Sequence, residues 1–153
     1  MAEEHQAPQQ IKITSINDYL EVMTKVVFQS GMSWKVVESK MPSIKEAMDG
    51  LDVVKVADYD ERDIERLTQD ERVIRNQRKL VAIRDNARRM LELDKEHSGF
   101  KKYLRSQPDF DSTLKMVKKD FKYMGPMGIL YFLYVVGEET IGYEEFQRQY
   151  MQK

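Results

Sequence analysis

The sequence predicts an all-α protein. Apolar residues recur at intervals of three or four along most of the chain, and residues that can cap a helix precede most of these apolar segments. No segment reads convincingly as a half-buried strand. A chain of 153 residues suffices for one domain with a core and is short for two. We therefore expect a polar, disordered tail over 1–12 and a single helical domain over 13–153.

The first helix of the domain is expected after Ser15 or Asn17, either of which can accept hydrogen bonds from the free N–H groups of a first turn. Gly31 interrupts this helix. Ser33 can cap the next one, whose apolar side begins with Trp34. The two helices are thus separated by a short loop.

Pro42 indicates that helix restarts there, at an N1-like position, and Gly50 ends that piece. The apolar segment 53–57 is too short to assign. Asp60 can cap a further helix whose acidic first turn complements the helix dipole.

The longest helix is expected over 70–93, because its apolar residues follow a period close to 3.6. Ser98 and Asp109 can cap two later helices, and a last helix is expected over 142–151. The outer face of the long helix carries basic residues: Arg72, Arg75, Arg78, Lys79, Arg84, Arg88 and Arg89.

Charge is distributed unevenly along the chain. The net charge is −1, but residues 72–122 hold 15 Lys and Arg against 7 Asp and Glu. A basic stretch between acidic flanks indicates either contacts with phosphate groups or simply a solvated helix face.

A glycine-containing break over 125–128 joins two helical segments within 118–136. Glycines such as Gly125 and Gly128 let a backbone approach a phosphate, and the free N–H groups of the following helix point toward it. The positive charges beside the turn belong to Lys118, Lys119 and Lys122. Alone, this segment indicates either a phosphate-binding hairpin or an ordinary helical corner.

Four ordered blocks of sequence favour the phosphate-binding hairpin over the ordinary helical corner. Residues 29–34 read Q-S-G-M-S-W, residues 63–67 read D-I-E-R-L, residues 70–79 read D-E-R-V-I-R-N-Q-R-K before an N-A pair at 86–87, and residues 118–126 read K-K-D-F-K-Y-M-G-P. In residue type and spacing these blocks resemble the type I 3-methyladenine DNA glycosylases over about four-fifths of the chain.

The resemblance implies a helix–hairpin–helix glycosylase fold and a DNA repair enzyme that flips an alkylated purine from duplex DNA and hydrolyses its N-glycosidic bond. It places Gly31 and Met32 in a loop that enters the duplex, and it places Gln29, which lies near that loop, in the base pocket with Trp34 and Val26. Trp34 becomes the aromatic residue on which the base stacks, although core packing would also explain it. The DNA backbone would be held by Lys118, Lys119, Lys122, Gly125, Gly128, Arg75, Arg78 and Lys79.

The sequence departs from the family at a residue that contacts the base and at the residues that bind zinc. Val26 stands in the pocket where the family has a glutamate that contacts the base. The family's zinc ligands are absent, because the chain has no Cys and its two histidines have no partners at ligand spacing, so we expect no metal and no cofactor. Glu138 and Glu139 are the candidate catalytic carboxylates, with solvated charges at a helix end as the other interpretation.

Three functions are therefore compared: an active DNA N-glycosylase, a non-catalytic DNA-binding relative that recognises damaged or abasic DNA, and a helical adaptor. The adaptor leaves the four matched blocks unexplained. No stretch of the sequence is apolar enough for a membrane helix, and the start lacks the features of a signal peptide. We expect a cytoplasmic monomer whose partner is double-stranded DNA, alkylated or abasic.

Overall fold

The computed structural model describes residues 7–151, and its regular elements over that range are helical, as predicted. A short 3₁₀ turn at Asp49–Leu51 and a π-helical turn at Gln147–Met151 accompany the α-helices. The α-helices are α1 (Ile16–Gln29), α2 (Trp34–Ala47), α3 (Val53–Ala57), α4 (Glu61–Thr68), α5 (Gln77–His97), α6 (Phe100–Leu104), α7 (Phe110–Asp120), α8 (Pro126–Val135) and α9 (Tyr143–Phe146).

The predicted caps begin most of these helices. Ser15 forms a capping box with Asp18 at the start of α1, and Ser33 accepts hydrogen bonds from the first turn of α2. Asp60 and Asp109 cap α4 and α7. The prediction for Ser98 was wrong, because this residue ends α5 in the left-handed conformation and α6 begins only after the next residue.

Several helix boundaries also differ from the prediction. Pro42 lies inside α2 rather than at a new start; this position is exposed, where water can bind the carbonyl group that loses its N–H partner. The long helix begins at Gln77, not at residue 70, because Asp70 turns the chain by accepting hydrogen bonds from Arg72 and because Asn76 caps α5. The segment 53–57, which the pattern left unassigned, is α3.

Helix α5 is central to the fold and packs against α1, α3, α4 and α6. Helix α8 packs against both α1 and α7. The core includes fully buried Leu20, Phe28, Leu80 and Phe132. This arrangement brings the loop after α1, the start of α5 and the α7–α8 turn onto a shared scaffold.

Part of the predicted tail lies outside the described residues, namely 1–6. From residue 7 the chain runs without helix to α1. Gln10 donates a side-chain hydrogen bond to the carbonyl of Tyr134, and the Ile11 N–H donates to the carbonyl of Val135 at 2.9 Å. These bonds hold residues 10 and 11 against α8, so this part of the segment is attached to the domain. None of the helices in the described range has the length and apolar character to cross a bilayer.

Candidate nucleic-acid interface

The turn between α7 and α8 is held by hydrogen bonds to the buried side chain of Asn86 in α5. The Asn86 side chain is 2% exposed, accepts a hydrogen bond from the N–H of Lys122 at 2.8 Å and donates one to the carbonyl of the same residue at 3.0 Å. Tyr123 follows in the left-handed conformation, at φ 59°. The turn thus has a defined shape set by one buried amide.

The two glycines of the hairpin differ from what we expected. Gly125 precedes α8 with an ordinary φ of −81°, and no side chain caps the helix there. Gly128 faces α1, because a Cβ atom added to it would lie 2.6 Å from Cγ1 of Val26. Its missing side chain therefore permits close helix packing, and only its backbone N–H, in the first turn of α8, remains available to a phosphate.

The lysines of the hairpin are at the surface. Lys118 and Lys119 lie exposed in the last turn of α7. Lys122 is exposed too, and its Nζ forms an ion pair with Asp85 at 2.7 Å. Burial alone would raise the pKa of the Asp85 carboxyl group, but the hydrogen bond and charge of Lys122, together with Arg84, lower it overall. Lys122 is consequently partly neutralised, while the charges of Lys118 and Lys119 face solvent.

The predicted outer basic face of α5 is only partly present. Arg75 and Arg78 are exposed near the start of the helix. Lys79 is not: it is 6% exposed and its Nζ donates to the carbonyl oxygens of Phe28 at 2.9 Å and Ser30 at 2.5 Å. We expected Lys79 on the exposed DNA-binding face, whereas the structure places its ammonium group under the loop after α1.

Other arginines of that predicted face are bound within the fold. Arg88 donates to the carbonyl oxygens of Ala57 and Tyr59. Arg89 binds Asp120, whose other carboxylate oxygen accepts a hydrogen bond from Tyr103 at 2.6 Å. This second network supports the end of α7, just before the hairpin.

The loop over 30–33 joins α1 to α2 and carries Gly31 and Met32, the two residues that we predicted to enter the duplex. Gly31 is exposed and has a φ of +80°, a conformation that side chains rarely adopt. Met32 packs partly against the core. Gln29 closes the loop from both sides, since its carbonyl accepts from the Met32 N–H and its side-chain amide donates to the Met32 carbonyl at 3.1 Å.

Trp34 begins α2 at the wall of a largely apolar cavity of about 380 Å³. Its ring lies against that of Tyr131, with 4.2 Å between ring centroids and 30° between ring planes. The cavity is lined by Ala7, Pro8, Trp34, Met127, Leu130, Tyr131, Tyr134, Thr140, Ile141, Gly142 and Tyr143. The aromatic residues of α8 were not predicted as part of the site, because the sequence of an apolar helix does not indicate which face borders a cavity.

The other predicted pocket residues are not at this cavity. Gln29 is committed to its loop, and Val26 is 3% exposed and packed against α8. Glu138 and Glu139 line a different cavity. The Glu138 side chain is 8% exposed and forms an ion pair with Arg105 at 2.9 Å. The described residues therefore bring Trp34 together with other aromatic residues and not with either candidate carboxylate.

The zinc site that the resemblance would imply does not fit this chain, which has no Cys. His97 packs edge-on against Tyr103, and within residues 7–151 no group of three His, Asp or Glu side chains is arranged to hold a metal. The other histidine, His5, lies outside the described residues.

Comparisons with known proteins identify the family and the fold of the chain. The sequence model of the methyladenine glycosylase family matches residues 12–123. The chain is 39% identical over 72 residues to a protein of Escherichia coli K12 named DNA-3-methyladenine glycosylase 1, a match that spans 47% of this chain and only 38% of that relative.

Solved structures match over more of the chain. A crystal structure of 3-methyladenine DNA glycosylase I has a TM-score of 0.72 and 26% identity over 83% of this chain and 81% of the other. A Staphylococcus aureus 3-methyladenine DNA glycosylase I has a TM-score of 0.74 and 21% identity over 89% and 84%. The second likeness, at its lower identity, shows the fold alone.

Proposed function

The chain belongs to the methyladenine glycosylase family, and we propose that it is a DNA repair enzyme that hydrolyses the N-glycosidic bond of an alkylated purine flipped out of duplex DNA. The observation that carries the proposal is Trp34, which follows the exposed loop over 30–33 directly and borders an aromatic cavity. A loop that opens the duplex and an aromatic surface that receives the base are thus neighbours in sequence and in space.

DNA would be held across the hairpin and the start of α5. Lys118 and Lys119 offer exposed charge, and the first turn of α8 offers N–H groups that no side chain caps. Arg75 and Arg78 offer a second exposed pair. Such contacts are with the backbone and independent of sequence, as suits an enzyme that must search for lesions.

The base would be recognised by stacking. A 3-methyladenine nucleoside is cationic, and a cation over the face of Trp34 gains from the negative face of the indole ring. In the reaction, the bond between C1′ and the base nitrogen breaks and its electron pair neutralises the base. The oxygen of a water molecule bonds to C1′, and the proton that this water loses passes to solvent. Because the leaving group is neutral, binding and stacking can suffice without a strong general base.

A second candidate function is a non-catalytic DNA-binding relative that recognises damaged or abasic DNA. The observation that favours it is the cavity lining, which includes no Asp or Glu among the described residues, whereas Val26 occupies the family's glutamate position and is packed against Gly128. Both candidates need DNA binding; only the first needs release of a base.

The experiment for DNA binding uses a duplex that contains a tetrahydrofuran abasic-site analogue. We expect tighter binding to this duplex than to an undamaged one, and weaker binding by Lys122→Glu and by Met32→Ala. Equal affinity of the wild type and both variants for the abasic duplex would contradict DNA binding through this face.

A further inference from the structure

Lys79 is the one predicted phosphate contact that the fold buries. Its ammonium nitrogen lies within hydrogen-bond distance of two backbone carbonyl oxygens, those of Phe28 and Ser30. Phe28 belongs to the last turn of α1, and Ser30 begins the loop that carries Gly31 and Met32. A buried charge in this place requires partners, and the loop supplies them.

We propose that Lys79 is a positioning residue for the 30–33 loop: its ammonium group fixes the end of α1 and the start of the loop in the conformation that enters DNA, and it contacts no phosphate. This inference rests on the proposed function, because it assigns the loop a role in DNA binding. The exposed lysines and arginines do not contribute to this positioning of the loop.

The backbone around the loop explains why a cation is needed. A helix end leaves carbonyl groups without intrahelical partners. Here the carbonyl of Val26 accepts from the Ser30 N–H and that of Gln29 accepts from the Met32 N–H. Lys79 binds the carbonyl of Phe28 between them and that of Ser30 beyond them, and its positive charge lies at the negative end of the α1 dipole.

The place of Lys79 on α5 adds a link to the DNA backbone. Its N–H donates to the cap residue Asn76 at 3.1 Å, and its neighbours Arg75 and Arg78 are exposed. Lys79 is therefore in the same helical turn as the exposed Arg78, and the exposed Arg75 lies just before the cap of that helix.

The test separates positioning from phosphate binding through salt dependence. Binding of the abasic-analogue duplex and of an undamaged duplex is measured across salt concentrations for the wild type, Lys79→Met and the matched exposed variant Arg78→Met. Log K falls linearly with log salt, and removing one phosphate contact reduces the steepness of this fall by about 0.9. We expect Arg78→Met to lower the slope in this way and to retain the preference for abasic DNA.

For Lys79→Met we expect the opposite pattern: an unchanged slope and a loss of about tenfold or more in preference for abasic over undamaged DNA, at a temperature well below unfolding. A fall of log K with log salt that is less steep by about 0.9, with the preference for abasic DNA retained, would overturn the inference. If the wild type itself shows no preference for abasic DNA, the proposed function fails instead, so the two failures are distinguishable.

A variant of the loop itself provides an independent arm. Gly31→Ala strains a residue at φ +80° without changing any charge, and an added Cβ there meets no other atom within 4 Å. If Lys79 acts through this loop, Gly31→Ala loses the same preference, and the double variant loses no more than the worse single variant. Fully additive losses would contradict the shared step.

Acetylation of lysines in the wild-type protein gives a readout that does not depend on any variant folding. Lys118 and Lys119 should react in the free protein and be protected by DNA. Lys79 should react slowly in both states, because it is buried before DNA arrives. Fast acetylation of Lys79 in the free protein, followed by protection on adding DNA, would overturn the inference.

Discussion

Replacing Asn86 by alanine should disconnect the hairpin from the rest of the fold. The side-chain amide of this α5 residue forms two hydrogen bonds with the backbone of Lys122, one as acceptor and one as donor. Asn86 itself is buried. The substitution therefore leaves a small cavity and removes both bonds that hold the turn from inside.

The cost follows from those two bonds. Each contributes about 1 kcal/mol to stability, and a partner that is left unsatisfied adds its desolvation cost, so Asn86→Ala should lower the free energy of unfolding by about 2–3 kcal/mol. A hairpin that is no longer fixed must be ordered again on DNA. We expect affinity for the abasic duplex to fall by about tenfold, which corresponds to about 1.4 kcal/mol.

The assay compares Asn86→Ala with Asn17→Ala, by urea unfolding and by DNA binding. Asn17 is a partly buried asparagine, and its side chain accepts one hydrogen bond from the N–H of Val53, between α1 and α3. Its loss should lower stability by about 1 kcal/mol and leave DNA affinity unchanged. Equal effects of the two variants on DNA affinity, or none from Asn86→Ala, would refute the link between the amide and the hairpin.

Three further predictions concern the packing and the charges. Gly128→Ala should destabilise by about 1–3 kcal/mol, because its Cβ would meet Val26, and Val26→Ala in the same chain should restore part of the loss; a neutral Gly128→Ala would contradict the close contact. Thr24→Val should be neutral or stabilising by up to about 1 kcal/mol, since the buried hydroxyl has no hydrogen-bond partner within the described residues; clear destabilisation in urea unfolding would indicate a missed partner. Hydrogen bonds from Arg72 lower the pKa of Asp70 from 3.8 to about 2. The ionised Asp70 therefore contributes to stability above pH about 4, and this contribution is lost as the pH falls toward 2. Asp70→Asn should make the free energy of unfolding depend less on pH over this range, and an unchanged pH dependence would contradict this.

Local rules predicted the caps and the helical class because these depend on nearest neighbours. Ser15, Asp60 and Asp109 bind N–H groups two or three residues away, and this chemistry is the same in any fold. The hairpin between α7 and α8 was predicted from residue types that break helices. These elements needed no knowledge of tertiary contacts.

The environment of individual basic residues could not be predicted in this way. Arg78 and Lys79 are adjacent, and the helical period alone does not say which one lies over the end of α1. Lys79 is buried because carbonyl groups from residues about 50 positions earlier meet it there. Val26 likewise does not line the cavity beside Trp34, because α8 packs on it through a contact that spans more than a hundred residues.

Release of free 3-methyladenine from methylated duplex DNA, at protein concentrations that saturate the DNA, tests the glycosylase proposal most directly. We predict release by the wild type above that by Trp34→Ala, which removes the stacking surface and its contact with Tyr131. Abasic-duplex binding by the same preparations shows whether each protein is competent to hold DNA. Strong binding with no release above the Trp34→Ala control would contradict catalysis and leave the non-catalytic DNA-binding function.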